Sequence, residues 1–362
     1  MNVAIVYDRV NKWGGAERVL LELNKIFPEA PLYTSLYSPN KARWADKFSV
    51  RTSFLQRIKF LRDRHELLGV FMPIAFESFD FKEYDLVISV TSEAAKGIIT
   101  APATKHICIC LTPTRYLWSD YEIYFRTHLF RKLAYPAVLY LRFWEKIAIR
   151  RPDAVLAISK TVQDRIKKYY DVKSTVLYPP ATGILEEKEI EDPFEKDYFL
   201  IVSRLVPYKR IDIAVEALNK LNLNLIVIGK GVEKKYLKKI SGKKTKFREY
   251  VSDRLLRGYY KNANALIYPS REDFGIAMVE ALSHGTPVIA FKKGAASEIV
   301  TEGKTGTFFT RQTPKSLIDK LKNFDKDKYN SNDCRKSALR FSNETFKKKL
   351  GKIVKDAIMS SS

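Results

Sequence analysis

Cysteine is scarce in this 362-residue chain, which holds only Cys108, Cys110 and Cys334, an odd number. Two of them sit in the apolar run His106-Ile107-Cys108-Ile109-Cys110-Leu111. That placement argues for buried thiols in a reducing compartment, and against a disulfide framework or a metal site. Histidine is also rare, at four residues, and no zinc spacing is present. Glycine and proline, 15 of each, are spread evenly, which excludes collagen-like and low-complexity segments, and no internal repeat stands out. No apolar run approaches the roughly 18 residues of a spanning helix. The most apolar window, Leu133 to Trp144, is broken by Arg142. The first residues lack a basic n-region and reach Asp8-Arg9 too early for a signal peptide, so they read as a first buried strand. The expectation is a cytoplasmic protein, free or attached to a membrane face.

Positive charge is abundant. Sixty-four Lys and Arg against 41 acids give a formal charge of +23, while 46% hydrophobic and 12% aromatic residues supply a core and exclude a disordered chain. The length suggests about two domains. Such a charge calls for an anionic partner, whether nucleic acid, acidic lipid or a phosphorylated small molecule. It does not choose among them, and clusters such as Lys234-Lys235 with Lys238-Lys239, or Lys347–Lys349, read first as solvated helix faces.

Short apolar runs alternate with longer helical patterns, the rhythm of parallel βαβ units. Strands are expected at Val3–Tyr7, Leu86–Val90, His106–Leu111, Ala154–Ile158 and Val176–Tyr178. The rhythm then breaks at Tyr178-Pro179-Pro180 and an acidic, proline-bounded segment, Glu186 to Pro193, which reads as a linker. It restarts with Phe199–Ser203, Leu225–Gly229, Ala265–Tyr268, Val288–Phe291 and Gly306–Phe309. The fold class is therefore α/β, with two Rossmann-like domains: residues 1–180, residues 195–340, and a C-terminal helix and tail at 341–362 expected to pack back on the first. Ligands in such sheets bind at the carboxyl ends of the strands.

Three strand ends carry candidate chemistry. After the first strand, Gly14-Gly15 opens a helix, where the backbone can approach a ligand and the helix terminus favours phosphate. The spacing is not the G-x-G-x-x-G of dinucleotide sites. In the second half, Ser203-Arg204-Leu205-Val206-Pro207-Tyr208-Lys209 places two cations, Arg204 and Lys209, where they could neutralise a diphosphate. The next is Glu272-Asp273-Phe274-Gly275-Ile276, running into a helix that holds Glu280. Two carboxylates then stand at different depths, with the amides of Phe274, Gly275 and Ile276 between them.

Ser-Arg-Leu-x-x-x-Lys at Ser203–Lys209 and Glu-x7-Glu at Glu272–Glu280 resemble the retaining glycosyltransferases of family four, of GT-B fold with two Rossmann-like domains facing a cleft. Gly14-Gly15 and Gly285-Thr286-Pro287-Val288-Ile289-Ala290 share that resemblance. Ala75–Asp80, Tyr84–Ser89, Thr112-Pro113-Thr114-Arg115-Tyr116-Leu117-Trp118 and Glu272–Gly275 resemble the branch of mannosyltransferases that build O-antigen and other lipid-linked glycans. The resemblance implies that Arg204 and Lys209 hold the donor diphosphate in place of a metal, so that no metal and no cofactor are expected. It implies that Glu272 binds the transferred sugar beside the Phe274–Ile276 amides, with Ser203 close by. Glu280 would bind the ribose, and Gly14 and Gly15 would meet the donor from the other domain when the cleft closes. The donor implied is GDP-mannose and the acceptor a lipid-linked or polysaccharide glycan. Arg115, Tyr116 and Trp118 are candidates for the acceptor or membrane side.

Retention would proceed by front-face attack, which needs no enzymic nucleophile. Many relatives carry His where this chain has Leu111, which leaves open a UDP-sugar donor or a catalytically silent binding member. Glu249, on the strand expected at Phe247–Val251, and Gly294-Ala295 depart from related chains as well, which bears on the base. A nucleic-acid partner is not expected, for no binding module is present. Two basic, aromatic stretches, Phe54–Arg64 and Tyr124–Arg151, suit the anionic headgroup layer of the inner face of the cell membrane.

Overall fold

The computed structural model describes residues 1–58, 69–125, 127–181 and 190–359. Four features noted in the sequence fall outside these residues: the basic segment at 59–64, Arg126, the acidic stretch at 186–189 and the tail at 360–362. Contacts divide the chain into two compact units, Met1–Pro180 with Phe346–Ser362, and Ala181–Thr345.

The first unit holds strands β1 (Val3–Tyr7), β2 (Leu32–Thr34), β3 (Val50–Thr52), β4 (Leu86–Thr91), β5 (Lys105–Cys110), β6 (Ala154–Ala157) and β7 (Thr175–Val176). They form one parallel sheet in the order β3-β2-β1-β4-β5-β6-β7. The second unit holds β8 (Tyr198–Val202), β9 (Asn224–Ile228), β10 (Thr245–Arg248), β11 (Leu266–Tyr268), β12 (Val288–Phe291) and β13 (Gly306–Phe309), in the parallel order β10-β9-β8-β11-β12-β13. Both units are thus doubly wound, Rossmann-like α/β domains. Their central strands are largely apolar because helices cover both faces; β1 and β4 are buried at every residue.

The strand order reverses between β1 and β4 in one unit and between β8 and β11 in the other. These are the switch points at whose carboxyl edge a crevice opens. The loops at these edges are the ones that hold Gly14-Gly15, Ser203–Lys209 and Glu272–Gly275.

Two elements go beyond the sequence expectation, and the strand expected at Phe247–Val251 lies at Thr245–Arg248. β2 and β3 are only three residues long, too short for an apolar run to register. β10 reads Thr-Lys-Phe-Arg, the polar alternation of an edge strand. The strand expected at Val176–Tyr178 lies at Thr175–Val176. Burial deprives the cysteines and one histidine of reactive chemistry: the Cys108 and Cys334 thiols are each pushed up to about 11. His106, whose Nε2 lies 2.8 Å from Ser89 Oγ, is held neutral by burial at about 3. The helix Asn343–Met359 buries Phe346, Leu350 and Val354 at four-residue spacing, a packing stripe as the sequence suggests. Among the described residues no helix is long and apolar enough to cross a membrane.

Candidate functional site

In the second unit the loop after β8 is shaped by its neighbours. A Cβ on Gly229 (φ +146°) would stand 1.9 Å from Ser203 O. The glycine lets the turn after β9 lie directly against the β8 loop, and Leu205 N donates to Lys230 O at 2.7 Å. Val206-Pro207 starts a single 3₁₀ turn, Pro207–Lys209, in which the fixed φ of proline suits the first helical position. Arg210, at φ 51°, ends the turn and starts the helix Ile211–Lys220.

This fold places Lys209 beside Glu272. Ser270 Oγ, one residue past Pro269 at the end of β11, donates to Lys209 O at 3.1 Å. The Lys209 ammonium forms an ion pair with Glu272 Oε1, both side chains being largely buried. Glu272 is fixed from behind by the turn after β12: it bridges in parallel to Gly294, and Ala295 N donates to Glu272 O at 3.1 Å. Gly294 sits at φ +68°, and a Cβ there would stand 2.4 Å from Glu272 O. Gly294→Ala should therefore destabilise the unit by at least about 1–2 kcal/mol and weaken nucleotide binding together. Thermal unfolding with a nucleoside diphosphate titration checks this, and a variant unchanged in both would refute the role given to this turn.

Arg204 is exposed, donates to Tyr208 OH and lies over the Tyr208 ring, with Lys209 Nζ 5.5 Å from the same ring. Tyr208 thus gathers both cations at one loop. Ser203 donates to Arg204 O at 3.2 Å. The helix Ile276–Ser283 begins after Gly275, at φ +120°, with no side chain capping it. Phe274 is not exposed to a ligand through its ring, which is buried against Phe341 at 5.4 Å; only its backbone remains a candidate. Glu280 stands in the second turn of the helix and accepts from Tyr260 OH at 2.7 Å. Tyr260 stacks on His284 at 5.6 Å, and burial lowers the pKa of that imidazole. Tyr260 was invisible in the sequence, since a Tyr-Tyr pair on an amphipathic helix reads as core.

In the first unit Gly14 caps the helix Gly15–Ile26 in extended conformation. Behind it Glu17 is buried and accepts from Tyr7 OH at 2.9 Å, and burial raises its pKa. Asp8, at the end of β1, accepts from Thr91 Oγ1 and from the backbone N–H groups of Ser92, Glu93 and Ala95. It closes the switch point between β1 and β4 and is a structural residue. Leu111 directly follows β5, its N–H bonded to Thr91 O at 2.8 Å.

The loop that follows, Thr112–Trp118, is held by groups the sequence did not single out. Lys96 and Glu145 form a fully buried ion pair. Glu145 also accepts from Thr114 Oγ1, from Trp118 Nε1 at 2.7 Å and from Tyr170 OH at 2.9 Å. Trp118 further stacks on Tyr169 at 5.1 Å. Arg115 Nε lies 3.6 Å from Asp120, and Tyr116 is half-buried with its pKa raised by burial. Among the described residues no group of three or more His, Cys, Asp and Glu is placed to hold a metal ion.

Residues 185–341 match the model of the family Glycosyl transferases group 1, so the second unit carries that family's sequence pattern. The O-antigen chain mannosyltransferase RfbU of Salmonella typhimurium is 31% identical over 176 residues, 46% of this chain and 49% of that protein. The chain spans about half the length of the curated relatives it matches. The apo lipopolysaccharide outer core galactosyltransferase WaaB superposes over the full length of both chains with a TM-score of 0.68 at 18% identity. Anabaena HepE in complex with UDP superposes over 98% of this chain and 100% of its own, with a TM-score of 0.70 at 19% identity. The chain therefore shares the two-domain, Rossmann-like fold of these structures.

Proposed function

We propose that this chain is a retaining hexosyltransferase of family four, moving mannose from GDP-mannose to a lipid-linked or polysaccharide acceptor at the inner face of the cell membrane. The observation that carries this is the Lys209–Glu272 pair, set at the switch point of a sheet inside the segment that matches the glycosyl transferases group 1 family. The likeness to the mannosyltransferase RfbU supports the choice of sugar.

Lys209 and Arg204 lie at one strand end, so both can meet the diphosphate and take up the charge that grows on it as the C1–O bond breaks. Glu272, freed from Lys209 by the incoming phosphate, accepts hydrogen bonds from the sugar hydroxyls. Glu280 exchanges its bond with Tyr260 for the ribose hydroxyls, and the backbone of Phe274, Gly275 and Ile276 faces the anion from the helix end. The acceptor hydroxyl attacks C1 from the face the diphosphate leaves, and its proton passes to a phosphate oxygen. No side chain need form a covalent intermediate, and no metal is required for charge neutralisation. In the first unit, the backbone at Gly14 and Gly15, where a helix begins, is open to an anionic group.

A UDP-sugar is the second reading, favoured by the UDP bound in the similarly folded HepE. The test is slow hydrolysis of GDP-mannose, UDP-glucose, UDP-galactose and UDP-N-acetylglucosamine, with and without added divalent metal. Selective turnover of GDP-mannose without metal is expected. Turnover of a UDP-sugar alone would replace the donor, and binding without turnover of any would mark Leu111 as the sign of a silent member.

A further inference from the structure

The first unit carries a charge pair that the transfer chemistry leaves unused. Arg9 directly follows Asp8 at the end of β1, and Glu93 lies in the turn after β4, so the two stand at the carboxyl edge where the strand order reverses. Their side chains form an ion pair, each 16% exposed. The second unit is built alike at its own reversal: Lys209 follows β8, Glu272 follows β11, and their paired side chains are 11% and 17% exposed. The backbone holds the first pair in place. Val10, next to Arg9, bridges in parallel to Tyr37, and Glu93 N donates to Asp8 Oδ2 and Thr91 Oγ1 at 3.0 Å each. Burial raises the pKa of Glu93 against the pull of Arg9. Such a pair contributes little to stability, because desolvation offsets its attraction, and perturbed carboxylates at a switch point gather where ligands bind.

We propose that Arg9 and Glu93 seat the sugar that accepts the transferred hexose, Glu93 accepting hydrogen bonds from adjacent hydroxyls and Arg9 donating to their oxygens. This rests on the transfer reading above and adds two residues of the first unit to it. The charges around each pair select its ligand. In the second unit Arg204 joins Lys209 at one loop through Tyr208, which suits a diphosphate. Beside Arg9 stands a second acid, Asp8, whose carboxylate is occupied by Thr91 Oγ1 and three backbone N–H groups. Of the nearby lysines, Lys96 is occupied by Glu145 and Lys12 is exposed to solvent. Two acids beside one guanidinium disfavour a phosphate, whereas a neutral polyhydroxyl ligand both donates to Glu93 and accepts from Arg9. Glu93 also lines a cavity with Thr114 and Tyr116, so the pair adjoins the loop that holds the candidate acceptor residues.

The test is saturation-transfer NMR of the full chain with methyl α-mannoside and methyl β-galactoside, GDP being present to fill the donor seat, beside the double variant Arg9→Met/Glu93→Leu. The double change strands no buried charge, so the variant should unfold at or above the parent temperature and bind GDP as the parent does. Saturation transfer to at least one glycoside is expected in the parent, weakened at least about tenfold in the variant, the cost of losing charged hydrogen-bonding groups. No saturation transfer in the parent, equal transfer in the variant, or a variant that no longer folds would mark the pair as structural and overturn the proposal. So would displacement of the glycoside by inorganic phosphate, for the pair would then be an anion site. Donor hydrolysis and GDP affinity, measured apart, strike or support the transfer reading without touching the binding of sugar by this pair.

Discussion

Lys209→Ala should lower turnover by about 10²- to 10³-fold, the usual cost of removing one preorganised group aimed at developing charge. The side chain is held by a proline-started turn, by Ser270 on its carbonyl and by Glu272 on its ammonium. It is therefore in place before the diphosphate arrives and loses little on reorganising. Arg204, exposed and held through Tyr208, cannot substitute for it. The variant also leaves the Glu272 carboxylate without its counter-charge, so sugar positioning suffers as well. Glu272→Ala should instead lower kcat while changing nucleoside diphosphate affinity little, because the role proposed for it is toward the sugar. Steady-state donor hydrolysis with a parallel diphosphate titration separates the two. Full activity in both variants would contradict the site.

Glu145→Leu should destabilise the first unit by about 3–5 kcal/mol, because it strands Lys96 as an uncompensated buried charge. Lys96 has no exposed surface and Glu145 almost none. Burial alone would drive the lysine toward its neutral form, yet Glu145 keeps its pKa above the ordinary value. Lys96→Met should cost less, because Glu145 keeps Thr114, Trp118 and Tyr170 as donors. The double variant Lys96→Met/Glu145→Leu should recover part of the loss, as replacing both members of a buried pair by apolar groups often does. Denaturant unfolding of the four proteins closes the cycle. A Glu145→Leu variant within about 1 kcal/mol of the parent would refute the assignment.

The two sheets were legible because central parallel strands are largely apolar runs: Val3–Tyr7 and Val288–Phe291 coincide with the strands found, as does the edge strand Gly306–Phe309. The short β2 and β3 carry too little of that signal, and the polar edge β10 too little to fix its ends. At the site, the residue types of Lys209, Glu272 and Glu280 were legible as motifs, since each follows a strand. Their partners were not, for pairing is a property of topology. Lys209 meets Glu272 only because β8 and β11 are neighbours, and Gly294 reaches Glu272 only because β12 is next. Lys96 and Glu145 lay hidden for another reason: a lone acid on a basic, aromatic helix reads as a surface pair until burial shows which way it points.

The central claim is that the second unit seats a nucleoside diphosphate between the β8 loop and the helix Ile276–Ser283. Calorimetric titration of the parent and of Glu280→Ala with GDP and with UDP tests it most directly. The account predicts that the parent binds GDP in preference to UDP, and that Glu280→Ala weakens this at least tenfold. A parent that binds neither nucleotide, or a variant that binds as the parent does, would contradict it.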